Sequence, residues 1–238
     1  MNVVAVPAAR LQPAWIPVVV EAGRAIRCAL APEHSSPLHA HVHVFRVGDV
    51  LRNFYVVRSG SFKCYTIDSH GREYVTSFRL PGESLGLNAI STGRYPNAAV
   101  ALETSTVWIY PYPELQQGAA GSSELRARML ERLSQELSEV AALSCDSTAE
   151  ERVAHFLIDW SKRLRQRGLS ATRFNLSMSR REIANHLGLA TETVTRVFTH
   201  YHAQTLIEID RRAVHLLDLA RLQRMCATTE TEADMRPS

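Results

Sequence analysis

Two groups of side chains in this 238-residue sequence have the types and spacing for chemistry. The first is the row His39, His41 and His43 in "PLHAHVHVF". Imidazole is the commonest metal ligand and titrates near neutrality. On a strand, a period of two puts all three on one face, with Val42 and Val44 on the other. Alternate imidazoles then stand about 6–7 Å apart, so two reach one metal only with partners from elsewhere. Two readings stay open: a solvated strand face, or a haem or metal role helped by His34. The second group is Glu192, Thr193, Thr195 and Arg196 in "ATETVTRVF". Arginine can donate two hydrogen bonds to guanine, and glutamate can accept from a cytosine amino group. Threonine offers a methyl to thymine or a hydroxyl to phosphate.

The second group needs a helix presented end-on, and the surrounding stretch "SRREIANHLGLATETVTRVFTHY" (Ser179–Tyr201) supplies one. Ser179 and Glu182 form an S-x-x-E capping box, each side chain satisfying a free N–H at a helix start. Ile183, Ala184 and Leu187 share one face of that helix, and Gly188 ends it in a left-handed conformation. Thr191 is expected to cap a second helix with Val194, Val197 and Phe198 turned inward. Small Ala184 lets the two helices approach closely. This Ala–Gly–Val spacing is a helix-turn-helix pattern, whose second helix lies in the DNA major groove. Ser179, Arg180, Arg181 and Thr191 complete the candidate DNA-binding set. The plain alternative is a helical hairpin in which Glu192 and Arg196 form an i,i+4 pair. "TLIEIDRRAVHLLD" (Thr205–Asp218) reads as a β-hairpin wing around Asp210-Arg211-Arg212. Charge agrees with the DNA reading. Residues 1–147 hold 13 basic and 13 acidic side chains, whereas Lys162–Arg196 holds 8 basic and 2 acidic, a local +6. A basic segment inside a neutral chain points to a polyanion partner.

The elements upstream read as a different domain. Residues 1–36 are Pro- and Ala-rich and are expected to be irregular. Residues 37–115 carry short β-branched and aromatic runs cut at Ser59-Gly60, Asp68–Gly71 and Pro81-Gly82, as in a barrel, roll or sandwich. "QQGAAGSS" (Gln116–Ser123) reads as a linker, and residues 124–145 as a long helix. In that helix Leu130, Leu133, Leu137 and Val140 repeat with 3-4-3 spacing, the seam of a dimerisation helix or the buried stripe of an ordinary one. Ser147 and Glu150 are expected to cap the next helix, opening a domain over 147–225. The tail 226–238 lacks apolar content and is expected to be disordered. Cys28, Cys64, Cys145 and Cys226 have neither disulfide-framework nor zinc spacing and read as free thiols in a reducing cytosol. No signal peptide is expected, because Arg10 and three prolines break the N-terminal apolar stretch. Nothing approaches the ~18 apolar residues of a membrane span, so the expectation is a cytoplasmic protein with no membrane partner.

With β-roll, long helix and winged helix-turn-helix in that order, the chain resembles the CRP/FNR family of bacterial transcription regulators over about residues 37–222. "VFRVGDVLRNFYVVRSGSFKCYTIDSHGREYVTSFRLPGESLGLNAI" and "LSMSRREIANHLGLATETVTRVF" are closest to its FNR-like members. The resemblance implies an α+β fold with a cyclic-nucleotide-binding-like double-stranded β-roll. It also implies a homodimer through the long helix, a palindromic DNA site, and an activator that recruits RNA polymerase. FNR-type proteins read TTGAT-like half-sites with "E-T-x-S-R", and the matching positions here are Glu192, Thr195 and Arg196.

The sensor half departs from the relatives. An iron–sulfur cluster of the FNR type uses an N-terminal cysteine group and one cysteine in the roll. Here only Cys28 precedes the roll, and Trp108 stands at the roll position. Such clusters need four thiolates, so this one is not expected. Cyclic AMP binding needs a roll Glu and an Arg-Ser pair. Leu87 and Pro96-Asn97 stand near those positions, with Arg94 offset by two residues, so that ligand is not expected either. Haem or nitric oxide sensing, cysteine oxidation, an unknown ligand and no ligand remain open. Two other functions fit the residues less well. A β-barrel H-x-H metalloenzyme lacks the carboxylate expected three or four residues on, where Val44, Phe45, Arg46 and Val47 stand. A sensor module without DNA binding sits poorly with an intact recognition helix.

Overall fold

The structure, a computed structural model, describes residues 33–142 and 148–233, and their side chains except at 128, 135–142 and 227–233. The chain divides into two compact units, Met1–Ala142 and Leu143–Ser238.

The N-terminal unit is a β-roll of two antiparallel sheets. One has the order β1–β8–β3–β6, from Glu33–His34, Thr106–Pro111, Asn53–Ser59 and Ser84–Leu85. The other has the order β2–β7–β4–β5, from His43–Phe45, Ala98–Ala101, Phe62–Ile67 and Glu73–Arg79. Strands β3 and β8 read as continuous apolar runs because both of their faces are covered. Tyr55, Val57, Val107 and Ile109 turn into the roll, where Phe45, Phe62, Leu85 and Tyr95 form its core. Phe54, Val56 and Tyr110 turn the other way, onto Leu115 and Leu125. Those two leucines lie on α1 (Tyr112–Gly121) and α2 (Ser123–Ala142). The β3–β4 turn demands glycine at Gly60, with φ +76° and Ser105 Oγ only 2.1 Å from where a Cβ would stand.

Three expectations for this unit are corrected. Glu33–His34, inside the segment expected to be irregular, is strand β1 and pairs with Trp108 and Ile109. Two residues are too few to show a period. The linker at Gln116–Ser123 is mostly helix. Fully buried Leu115 anchors α1, and packing of α1 on α2 overrides the roughly 1 kcal/mol each that Gly118 and Gly121 cost a helix. The histidine row is not on one strand. Leu38 bridges Ser105, the chain turns at Ala40-His41 with His41 at φ +70°, and only His43 lies in β2. The turn keeps its backbone paired, His41 N–H donating to Ala101 O at 2.8 Å and Val42 N–H to His39 O at 3.1 Å.

The C-terminal unit runs α3 (Ala149–Gln166), β9 (Arg173–Asn175), α4 (Arg180–Leu187), α5 (Thr191–Ala203), β10 (Ile207–Asp210), β11 (Ala213–Leu216) and α6 (Leu219–Ala233). Its core joins Val153, Leu157 and Trp160 of α3 to Ile183 of α4, Val194 and Phe198 of α5, and Leu222 of α6, all buried. Each such side chain contributes about 1.5–3 kcal/mol. The hairpin β10–β11 forms as expected, with β9 added as a third strand beside β11. The capping box of α3 is Thr148 with Glu151, one residue beyond the expected Ser147 and Glu150. "STAEE" offers the pattern in two frames, and the structure uses the second. The expected disordered tail is helical as far as Ala233. Leu222 seats α6 against the core, and a nucleated helix extends cheaply through Ala and Glu residues.

Candidate nucleic-acid interface

The helix-turn-helix forms as its spacing requires. Ser179 Oγ accepts from Glu182 N–H, and Glu182 Oε2 accepts from Ser179 N–H at 2.8 Å, closing the capping box of α4. Gly188 ends α4 at φ +64°, ψ +34°, with its N–H on Ala184 O and Asn185 O. Arg152 of α3 donates from Nη1 to Leu187 O at 3.1 Å, satisfying one carbonyl that the helix end leaves open. Helix α5 is tied back to α3 by Tyr201, whose hydroxyl donates to Glu150 O at 2.6 Å. Burial pushes the Tyr201 phenol well above its ordinary range, so it stays a donor.

Of the residues singled out from sequence, Glu192, Thr195 and Arg196 are exposed together on the outward face of α5, with Thr199 beside them. Val194, Val197, Phe198 and Tyr201 are buried on the opposite face. Thr193 is half-buried on the flank, turned towards Thr148, Ala149 and Glu150 at the start of α3. Thr191 is not the N-cap. Ala190 holds that place with extended backbone, Thr191 is the first helical residue, and the cap makes no side-chain hydrogen bond. Arg181 is exposed. Arg180 is half-buried, its guanidinium 3.7 Å from the Phe198 ring centroid, and burial lowers its pKa. Guanidinium stays charged regardless, so Arg180 both packs and carries charge.

Three features lie outside the candidate DNA-binding set. The wing tip exposes Arg211 and Arg212, with Arg211 at φ +52°. Across the wing sheet, Glu208, His215 and Arg173 stand in register. Arg173 Nε donates to His215 Nε2 at 3.3 Å, and His215 Nδ1 lies 3.4 Å from Glu208 Oε2. His200 lies 3.9 Å from Glu150. The basic tip was legible in "DRRA", whereas the other two are pairings across elements that no local spacing reveals.

The sensor candidates are dispersed. His39 and His41 are exposed, so they do not face the roll interior as an H-x-H metal motif requires. His43 Nε2 is 2.8 Å from Tyr65 Oη, and burial first, then the Arg46 and Lys63 charges, lower its pKa. His34 meets the Trp108 ring edge-on at 6.0 Å, and Arg58 lies 4.7 Å over the same ring. Among the described residues no three His, Cys, Asp or Glu side chains converge to hold a metal. Cys64 is buried in the roll and Cys226 half-buried on α6; Cys28 and Cys145 lie outside the described residues. The residues at the phosphate positions of a cyclic nucleotide do not fit one. Leu87 is 3% exposed in the apolar cluster, and Arg94 donates from Nη1 to Gly48 O at 2.8 Å. A phosphodiester needs a cation there.

A β-roll joined to a winged helix-turn-helix defines a class of regulator, and comparison with known proteins agrees. Residues 36–120 match the cyclic nucleotide-binding domain family and residues 151–225 the Crp-like helix-turn-helix domain family. The chain is 41% identical over 189 residues to the transcriptional activator protein Anr of Pseudomonas protegens, covering 78% of each. It is 34% identical over 201 residues to the fumarate and nitrate reduction regulatory protein of Vibrio cholerae, covering 83% of this chain and 80% of that one. The solved structure of FixK2 from Bradyrhizobium japonicum is similar at a TM-score of 0.74 and 26% identity, covering 82% of this chain and 98% of that chain. The chain belongs to the CRP/FNR family: it is a DNA-binding transcription regulator and not an enzyme. Among the described residues no helix is long and apolar enough to cross a membrane.

Proposed function

We propose that the chain is a homodimeric activator that binds a palindrome of TTGAT-like half-sites and recruits RNA polymerase. The observation that carries this is the joint exposure of Glu192, Thr195 and Arg196 on the outward face of α5. Arg196 donates to guanine, Glu192 accepts from a cytosine amino group, and Thr195 supplies a methyl to thymine. Thr195 replaces the serine of the FNR pattern, keeping the hydroxyl, which here donates to Thr191 O at 2.9 Å. The hydroxyl is thereby spent within the helix, and the methyl is left for the base. Ser179, Arg181, Thr191 and Thr193 take backbone phosphates, and stacked Arg180 adds a fixed charge beside them. The Anr protein of Pseudomonas protegens is a transcriptional activator by name, which supports activation here. Exposed Leu130 of α2 supports a dimer seam, whereas Leu133 packs on the cluster of Leu115 and Leu125; Leu137 and Val140, the other two positions of the expected seam, lie outside the described side chains.

The effector is neither a cyclic nucleotide nor an iron–sulfur cluster of the FNR pattern, because Leu87, Pro96 and Trp108 stand where a ligand or a thiolate would be required. Haem is the ligand class to test first. An electrophoretic shift with a TTGAT palindrome tests the DNA reading. Arg196→Ala is expected to weaken binding to the palindrome by about 1–3 kcal/mol and to relax preference at the guanine. Unchanged specificity in that variant would sink the assignment. The visible spectrum of anaerobically purified protein tests the effector. A Soret band indicates haem, whereas a broad band near about 400 nm would return the cluster.

A further inference from the structure

The flank of α5 that faces the start of α3 carries one side chain, His200, that base recognition does not use. Thr193, Arg196 and His200 of α5 line an open groove with Thr148, Ala149 and Glu150 of α3. The His200 side chain is 45% exposed, and its Nε2 lies 2.9 Å from Gln204 Nε2 and 3.9 Å from Glu150 Oε1. Gln204 Oε1 accepts from Arg221 Nη2 of α6 at 3.3 Å, which turns the amide NH2 towards His200. Gln204 Nε2 thus donates, and His200 Nε2 accepts. A second proton, on Nε2, ends that hydrogen bond, because Gln204 presents only donors there. The acceptor within reach is the Glu150 carboxylate.

The charged neighbours are few. Arg196 precedes His200 by one turn of the same helix, and the Tyr201 ring is 6.4 Å away. On α3, Glu150 faces the imidazole, whereas the Glu151 carboxylate is held by Thr148. Arg180 of α4 lies over Phe198, and Glu208 of β10 faces His215. With His200 neutral, Arg196 and Glu150 leave the groove with no net charge. With His200 protonated, the groove is a cation.

We propose that His200 is a proton-gated contact to a DNA backbone phosphate: neutral it is tied to Gln204, and protonated it is shared between Glu150 and the phosphate strand beside α5. The inference rests on α5 being the recognition helix. A helix in the major groove has phosphate strands along both flanks, and such contacts add affinity without sequence preference. The phosphate stabilises the imidazolium, so the complex takes up a proton. Affinity then rises as pH falls through the imidazole range.

Fluorescence anisotropy of the full-length chain on a TTGAT palindrome and on a scrambled duplex, at constant ionic strength, tests this. From about pH 8 to about pH 5.5, Kd is expected to fall about tenfold per contacting protomer, on both duplexes, the worth of one added charge-assisted hydrogen bond. At the lower pH the slope of log K against log salt steepens by about 0.9 per contact. His200→Gln flattens the pH dependence, His200→Arg binds tightly throughout, and Glu150→Gln tightens binding at the higher pH. Thermal melts of the three variants verify folding. A wild-type affinity indifferent to pH, or a pH dependence that survives His200→Gln because His155, His186, His202 or His215 carries it, overturns the proposal. If the pH effect appears on both duplexes without preference for the palindrome, the half-site reading fails and the His200 contact stands. If neither duplex binds, both fail.

Discussion

At the residue scale, the histidines that drew attention first turn out to serve different ends. His39 and His41 are solvated, His41 because it occupies a left-handed turn, and only His43 is partly enclosed, against Tyr65. Its pKa is lowered by burial and by the Arg46 and Lys63 charges. The sign follows: as pH falls below the ordinary imidazole range of about 6.5, the unfolded chain takes the proton first, so acidification destabilises the N-terminal unit. Chemical denaturation of wild type and His43→Gln across pH 5–7 checks this. The wild-type midpoint is expected to fall with acid and the variant's slope to be shallower, whereas parallel curves would exclude His43. At Trp108, the large aromatic sits between His34 and Arg58 and packs on the apolar cluster under α2. A residue that packs there supplies no thiolate.

At the scale of elements, the recognition helix owes its pose to three ties that are separable by mutation. Gly188 supplies the left-handed turn, Arg152 caps α4 through Leu187 O, and Tyr201 fastens α5 to the Glu150 carbonyl. Gly188→Ala is expected to cost about 1–2 kcal/mol, since a Cβ at φ +64° is strained even though its nearest neighbour, Arg152 Nη1, is 3.7 Å away. Tyr201→Phe is expected to cost about 0.5–1.5 kcal/mol by removing one hydrogen bond between α5 and α3. Urea titration of each variant measures both, and a stability within about 0.3 kcal/mol of wild type would contradict the corresponding tie. What was legible in the sequence follows the same division. The capping box of α4, Gly188 and the inward face of α5 are set by neighbours within a few residues, and they read correctly. The two-residue strand β1, the helix over Gln116–Gly121 and the turn at His41 are set by partners far along the chain: β8, Leu125 and Ala101. Local period and propensity carry no record of such partners. The α3 cap stands one residue beyond its expected place because "STAEE" offers the pattern in two frames, and the use of Thr148 with Glu151 leaves Glu150 to meet His200.

At the scale of the whole molecule, a β-roll unit and a winged helix-turn-helix unit share one chain. The dimer proposal places Leu130, 66% exposed on α2, in a seam with a second copy. Sedimentation should then show a dimer for the wild type and a shift to monomer for Leu130→Lys, with weakened binding to a palindrome. A wild-type monomer, or an unaffected variant, would remove the seam. The central claim is sequence-specific recognition by the α5 surface, and one titration tests it directly: anisotropy of the full-length chain on a TTGAT inverted repeat with half-sites one helical turn apart, beside a duplex of the same composition with those half-sites scrambled. The predicted result is a preference of about 10³-fold or more for the repeat, reduced about tenfold or more by Arg196→Ala. Equal affinity for the two duplexes, or a preference unchanged by Arg196→Ala, would contradict it.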